Sequence, residues 1–356
     1  MSIKTLSFFN NKGGVGKTTL STNVAHEFAR RGKRVLYIDC DPQCNATQLM
    51  LSDEQTEKLY GPDLDGRGHV PESLVKTIFG TFIPLREGET SIDARVPVLR
   101  AERFGVDLLP GHPNLSQIED DMSAAWQNAL GRNTADFRRV HWVGQLVTAM
   151  EEQNRYDVVF FDVGPSLGPF NRTVLLGCDA FVTPTSTDLF SFHAFGNLAR
   201  WFEQWVSSYS EMSEAALTRW REYAMDVEEK SAPLRLRGHN GHSLSYLGYT
   251  TLEYIRRSSG GQEQFIGAFE RFRGRFNDEA RRIAASLGQP DQDSYLLGPV
   301  PHMHSMPATA QDVHSPIRGL GYADRVVGSQ LNQRDGYAEK IDNVAEMVFN
   351  RLYPAE

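Results

Sequence analysis

Residues 12–19 read Lys-Gly-Gly-Val-Gly-Lys-Thr-Thr, and this string with its surroundings constrains the chain more than any other feature. Upstream lies IKTLSFF, residues 3–9, a short β-prone run. Downstream a helical stretch runs from Thr18 to about Arg31, with Gly32 placed to end it. A glycine-rich turn between a strand and a helix is the context an anion-binding loop needs. Glycines let backbone N–H groups turn inward and approach an anion closely. The helix that opens near Lys17 adds the positive end of its dipole. In that setting Lys17 reaches the β- and γ-phosphates of a nucleotide, the Thr18 hydroxyl ligates Mg²⁺, and Thr19 meets the α-phosphate. The ordinary form of the motif has a glycine where Asn11 stands; here a second lysine, Lys12, follows that position.

The rest of the chain alternates strands with helices. RVLYI, residues 34–38, ends at Asp39 and completes a βαβ unit, so a parallel sheet is expected. Further strands are expected over 106–109, 156–162, 179–183, 243–249 and 295–300. Helices are expected over 114–130, 136–153, 188 to about 229, 262–287 and 336–352. Residues 52–105 are polar and rich in Gly, Pro and Asp, with one short helix near 71–79, and read as an insertion. Residues 207–240 read as a second insertion, in which Trp220, Arg235 and Arg237 form either a docking surface or more core. The expected class is α/β: a mostly parallel sheet flanked by helices on both faces, in a single domain of 356 residues with helical and loop insertions.

KGGVGKTT resembles the deviant Walker A motif of the ParA/MinD-type P-loop ATPases. Three more segments follow that family's pattern in order: VLYIDCDPQCNAT (35–47), VDLLPGHPNLSQIEDD (106–121) and VVFFDVGPSLG (158–168), the last resembling its Walker B region. The resemblance is closest to the ParA-like partition ATPases that lack an N-terminal helix-turn-helix. It implies ATP and Mg²⁺ as cofactors, with Lys12, Gly13, Gly14, Val15, Gly16, Lys17, Thr18 and Thr19 holding the nucleotide. Lys12 corresponds to the signature lysine, which reaches across a homodimer to the partner's nucleotide. A second cation there stabilises charge on the transferred phosphoryl group only once the dimer forms. Asp41 is similar to the aspartate that activates the attacking water. Asp39 and Asp162, with Thr18, are similar to the groups that hold Mg²⁺ and its water shell. Both acids end apolar strands, which puts them at the ligand-binding edge of an open α/β sheet. Pro301, in GPVPHM (298–303), corresponds to the residue that packs on adenine. Two departures stand out: Val163-Gly164-Pro165 where two prolines are common, and Met303 where an acid is common.

The net charge is −8, so a nucleic-acid surface has to be a local patch. The candidate patch is Arg256, Arg257, Arg271, Arg273 and Arg275, within a segment (251–287) of seven arginines against five acids. Phe265, Phe269, Phe272 and Phe276 recur at helical spacing there and would turn the arginines outward. No run of 18 apolar residues and no leader-like N-terminus is present, and three cysteines are too few for a disulfide scaffold, so a cytoplasmic protein is expected. A C-terminal membrane helix and an iron–sulfur role both lack the residues they need. The expectation is an ATP-hydrolysing switch that dimerises with ATP, binds DNA without sequence preference and responds to a stimulating protein. The alternative is an ATP dimer that recruits a protein effector and never touches DNA.

Overall fold

A computed structural model describes residues 2–61, 72–95, 97–238, 242–253, 255–257, 263–265 and 268–354, with the backbone alone at 253, 255–257, 263–265 and 268–273. Its strands are β1 (Lys4–Phe8), β2 (Val35–Asp39), β3 (Leu99–Ala101), β4 (Val106–Leu109), β5 (Val158–Asp162), β6 (Ala180–Ser186), β7 (Ser245–Glu253), β8 (Ile255–Arg257), β9 (Glu263–Phe265) and β10 (Leu296–Pro301). Eight of them form one sheet in the order β10-β7-β6-β1-β5-β2-β4-β3. Every pairing is parallel except the edge pair of β3 with β4, and β8 and β9 make a separate antiparallel hairpin.

The central strands are buried along their whole length, which is why VLYID and VVFFD are unbroken apolar runs up to a terminal acid. Successive side chains of a strand point to opposite faces, so Leu36 and Phe161 enter one core layer while Tyr37 and Phe160 enter the other. Helices 115–130, 142–153 and 189–222 cover the first face through Trp126, Trp142 and Phe202. Helices 17–30 and 329–352 cover the second through Phe28 and Val348. The register sets Asp162 of β5 opposite both Phe8 of β1 and Asp39 of β2. Both carboxylates therefore lie side by side at the edge where the parallel strands end. No helix among the described residues is long and apolar enough to cross a membrane.

Several element boundaries differ from the sequence expectation. Segment 52–105 carries helices Asp53–Tyr60, Glu72–Val75 and Ile78–Arg86, plus β3. Helix Ile78–Arg86 is apolar except for buried Thr81 and the terminal Arg86 and sends Ile78, Phe79, Phe82 and Leu85 into the core, so it shows no amphipathic stripe. Each such buried side chain contributes about 1.5–3 kcal/mol. The stretch 136–153 is two helices that meet at His141. The long helix ends at Glu222, where Ala224 takes φ +52°, and Asp226 caps a separate short helix. Its last turns bury Met212, Leu217 and Trp220. Arg235 is buried between Glu151 (2.7 Å) and Asp179 (3.1 Å), so it belongs to the core. The Arg-rich helix starts at Ala268 rather than 262, because β8 and β9 precede it. The last helix begins at Ser329, and helices Pro169–Gly177 and Met306–Asp312 carried no clear sequence signal.

Candidate nucleotide site

The loop between β1 and helix 17–30 is held at its base by Asn10, which is fully buried. The Asn10 amide donates to the Pro184 carbonyl (2.8 Å), and its Oδ1 accepts the Lys12 N–H (2.9 Å). Gly14 and Gly16 then take φ +73° and +76°, a left-handed turn that other residues adopt only with strain. Gly16 caps the helix without a side chain, so no side-chain acceptor competes for the first-turn N–H groups. Gly13, Gly14, Gly16, Lys17, Thr18 and Thr19 line a cleft of about 640 Å³, with Asp41, Gln43 and Pro165 across from them.

Lys17 is nearly buried, and its Nζ lies 3.3 Å from the Lys12 carbonyl. Burial pulls its pKa down, while Asp162 and Asp41 pull it back up. Behind it the Thr18 hydroxyl donates to Asp162 Oδ2 (2.8 Å), and the other oxygen, Oδ1, is buried without a partner. An unsatisfied carboxylate oxygen costs stability unless a cation or a bound water meets it. Asp39 Oδ2 accepts both the Thr47 N–H (2.8 Å) and the Thr47 hydroxyl (2.7 Å), and its Oδ1 accepts the Asp41 N–H (3.2 Å). The set of a hydroxyl and two carboxylates is all oxygen, which suits a hard cation such as Mg²⁺ that keeps several waters. The orphaned Asp162 oxygen fits the same ion.

Burial pushes both the Asp162 and Asp39 carboxyls above the usual range, and their neighbouring charges add to it. The folded chain therefore holds protons there that an unfolded chain has lost above about pH 4. Unfolding releases those protons, so stability falls as pH rises through that interval and stays low beyond it. A divalent cation held there would relieve the same charge. The rise in thermal midpoint on adding Mg²⁺ to ADP-loaded protein should be larger near pH ~8 than near pH ~5. Equal rises at both would remove these carboxylates from the metal.

Asp41 faces the cleft, with Oδ1 accepting the Gln43 N–H (3.0 Å). Gly164 lies against it: a Cβ there would sit 3.2 Å from Asp41 Oδ1. A side chain at 164 would therefore have to push the Asp41 carboxylate by a few tenths of an ångström. The Asn171 amide in turn donates to the Gly164 and Ser166 carbonyls, both at 2.9 Å.

A second pocket of about 160 Å³ shares Gly14, Gly16 and Thr19 and is otherwise walled by Val15, Leu20, Thr250, Leu252, Val300, Pro301 and Met303. Pro301 thus faces a largely apolar slot beside the phosphate loop, and Met303 extends its wall. His302 and His304 also line it. Sequence reasoning passed over both, because nothing in their spacing marks them.

Lys12 lies apart from the other loop residues. Its Nζ meets Asp188 Oδ2 at 2.7 Å, Ser191 Oγ at 2.8 Å and Ser186 Oγ at 3.5 Å. Of the candidate arginines, Arg275 stacks over the Phe192 ring at 4.5 Å. The side chains of Arg256, Arg257, Arg271 and Arg273, and of Phe265, Phe269 and Phe272, lie outside the described residues. Phe276 is buried against Phe192 and Phe195, as the helical spacing implied.

The chain matches the AAA domain family AAA_31 over residues 3–212. It is 28% identical over 203 residues to the chromosome partitioning protein ParA of Caulobacter vibrioides, covering 57% of this chain and 63% of ParA. It is 32% identical over 161 residues to the chromosome-partitioning ATPase Soj of Thermus thermophilus, covering 42% of this chain and 62% of Soj. Each match spans less than two thirds of the relative's length. Among solved structures, protein DIP2308 of Corynebacterium diphtheriae is 58% identical over 99% of this chain and 100% of its own, with a TM-score of 0.83. An ATP complex of an McdA variant from Cyanothece shares the fold at 13% identity and a TM-score of 0.57, covering 98% of each chain. A sheet order that gathers Lys17, Thr18, Asp39, Asp41 and Asp162 at one edge agrees with a family match over more than half the chain: this protein belongs to the ParA/MinD-type P-loop ATPases.

Proposed function

We propose that this chain is an ATP-hydrolysing switch acting as a single P-loop domain, which binds MgATP at the loop 12–19 and pairs with a second copy around two nucleotides. One observation carries the reading: Lys17, Thr18 and Asp41 converge on the same cleft, with Asp162 and Asp39 directly behind Thr18. Lys17 and the loop N–H groups neutralise the phosphates, and Thr18, Asp39 and Asp162 hold Mg²⁺ and its waters. Mg²⁺ supplies charge neutralisation on the β- and γ-phosphates. Asp41 orients the attacking water, Pro301 packs on adenine, and Lys12 comes from the second copy. ParA and Soj are named for chromosome partitioning, and by that likeness the ATP dimer binds DNA without sequence preference.

A specific observation favours the effector-recruiting alternative. Arg281 is ion-paired with Asp278 and Asp291, and Arg282 with Glu279 and Glu203, so part of the arginine excess in 251–287 is already matched. Light scattering with ATP and with ADP, alongside DNA binding across a salt series, tests both readings. The expected result is a doubled mass with ATP only, and DNA affinity that falls with salt at a log–log slope near −0.9 per phosphate contacted. A dimer that ignores DNA selects the effector reading. A mass unchanged by ATP rules out the sandwich.

A further inference from the structure

The segment 52–105 is more than an ornament on the sheet. Three of its groups grip three consecutive residues after β4. Ile78 N–H donates to the Pro110 carbonyl (2.8 Å), the Tyr60 hydroxyl to the Gly111 carbonyl (2.5 Å), and Ser73 Oγ meets His112 Nε2 (3.3 Å). His112 Nδ1 accepts the Asn114 N–H (3.0 Å), which leaves Nε2–H as the donor to Ser73 in the neutral ring. The His112 ring also lies between Tyr60 (6.2 Å) and Phe79 (5.3 Å).

The gripped loop bears directly on Asp39. A Cβ on Gly111 would stand 3.0 Å from the Asp39 carboxyl carbon and 3.0 Å from Cys44 Sγ, so the Gly111 backbone is itself a wall of the carboxylate. The Gly111 N–H donates to Thr47 Oγ1 (2.8 Å), and Thr47 spends its single hydroxyl proton on Asp39 Oδ2 (2.7 Å). The continuous chain of donors and acceptors runs from Ile78 N–H through the Pro110–Gly111 peptide to Thr47 and on to Asp39, while the Tyr60 hydroxyl clamps the same Gly111 backbone from its carbonyl side. Buried chains of this kind polarise one another and fix their last acceptor.

From this geometry we infer that Tyr60, acting through Gly111 and Thr47, is a positioning residue that sets the Asp39 carboxylate for the metal. The inference rests on the proposed metal role of Asp39. Outer partners of metal-site carboxylates tune metal affinity, and here the outermost partner comes from the segment inserted between β2 and β4. The segment thus offers a route by which contact with helix Asp53–Tyr60 can alter the metal site.

The test is Mn²⁺ titrated into ADP-loaded full-length protein, read by loss of the free-ion electron paramagnetic resonance signal, which needs no hydrolysis. Tyr60→Phe keeps the ring and removes one hydroxyl; it should weaken Mn²⁺ binding about 3- to 10-fold with little change in thermal midpoint. Thr47→Val should weaken it about 10- to 100-fold, and Thr47→Ser should restore most of the loss. Wild-type affinity in Tyr60→Phe and Thr47→Val, beside a large loss in Asp39→Ala, would overturn the positioning role and leave the metal role of Asp39 standing. Wild-type affinity in Asp39→Ala as well would overturn the metal role and the positioning role with it.

Discussion

Asp41→Ala should slow ATP hydrolysis about 10²- to 10³-fold while ATP still binds and still doubles the mass of the protein. The separation follows from where the carboxylate sits. Asp41 stands across the cleft from Lys17 and Thr18, and its Oδ1 is aimed by the Gln43 N–H. On the proposed reading the loop N–H groups and Lys17 hold phosphate, and Lys17 keeps the charge of Asp162 beside it when the Asp41 carboxylate is gone. The backbone N–H of Asp41, which bonds Asp39, survives the substitution. On the proposed reading, what disappears is the acceptor that orients water, an interaction used in the transition state far more than in the ground state. Phosphate release and light scattering on the same sample check this. A rate within threefold of wild type would remove Asp41 from the chemistry, and a loss of ATP affinity would make it a binding residue instead.

The sheet and the phosphate loop were legible because their signals are local. Strands buried on both faces have to be unbroken apolar runs, and acids at their ends stand out against them, as Asp39 and Asp162 do. The glycine conformations of residues 14 and 16 are likewise written in consecutive residues. The supports of the site were not legible, since each depends on a distant partner. Gly111 meets Thr47 from 64 residues away, Tyr60 meets Gly111 from 51 away, and Lys12 meets Asp188 from 176 away. The helices of segment 52–105 went largely unread for a different reason. Its helices are four to nine residues long, and the most buried one contains Pro84 and lacks a polar face, so neither period nor propensity marks it. The arginine patch shows the limit of counting charge: its acids at 278 and 279 were in view, but Asp291 and Glu203 join only through the fold.

Lys12→Ala should abolish the ATP-dependent rise in mass and cut hydrolysis about 10³-fold or more, the scale on which a cation supplied across an interface acts in phosphoryl transfer. In the single chain this lysine is occupied. Asp188 and two serine hydroxyls hold it, with Asp188 Oδ2 at 2.7 Å. Partial burial pushes the Asp188 carboxyl up, but hydrogen bonds from Lys12, Ser186 and Ser191 outweigh that and hold it well below the usual range. To reach a partner's phosphate, Lys12 has to leave this cluster. The ion pair itself contributes only about 0–1 kcal/mol at this exposure and the two serine contacts are replaceable by water, whereas in the proposed dimer a phosphate between two chains would be shielded from water. Leaving removes only the ion pair: Ser186, the Ser191 hydroxyl and the Ser191 N–H still hold Asp188 as the cap of helix 189–222, beside Leu189 and Phe190, which is 77% exposed. ATP affinity of the single chain should stay near wild type, since Lys17 rather than Lys12 lines the cleft. Titration with a fluorescent ATP analogue, mass measurement and phosphate release together decide the matter. If Lys12→Ala dimerises and hydrolyses as wild type does, the lysine is a local tie to Asp188 and the only loss will be in thermal midpoint. If ATP affinity collapses instead, Lys12 serves its own chain's nucleotide and the trans role is wrong.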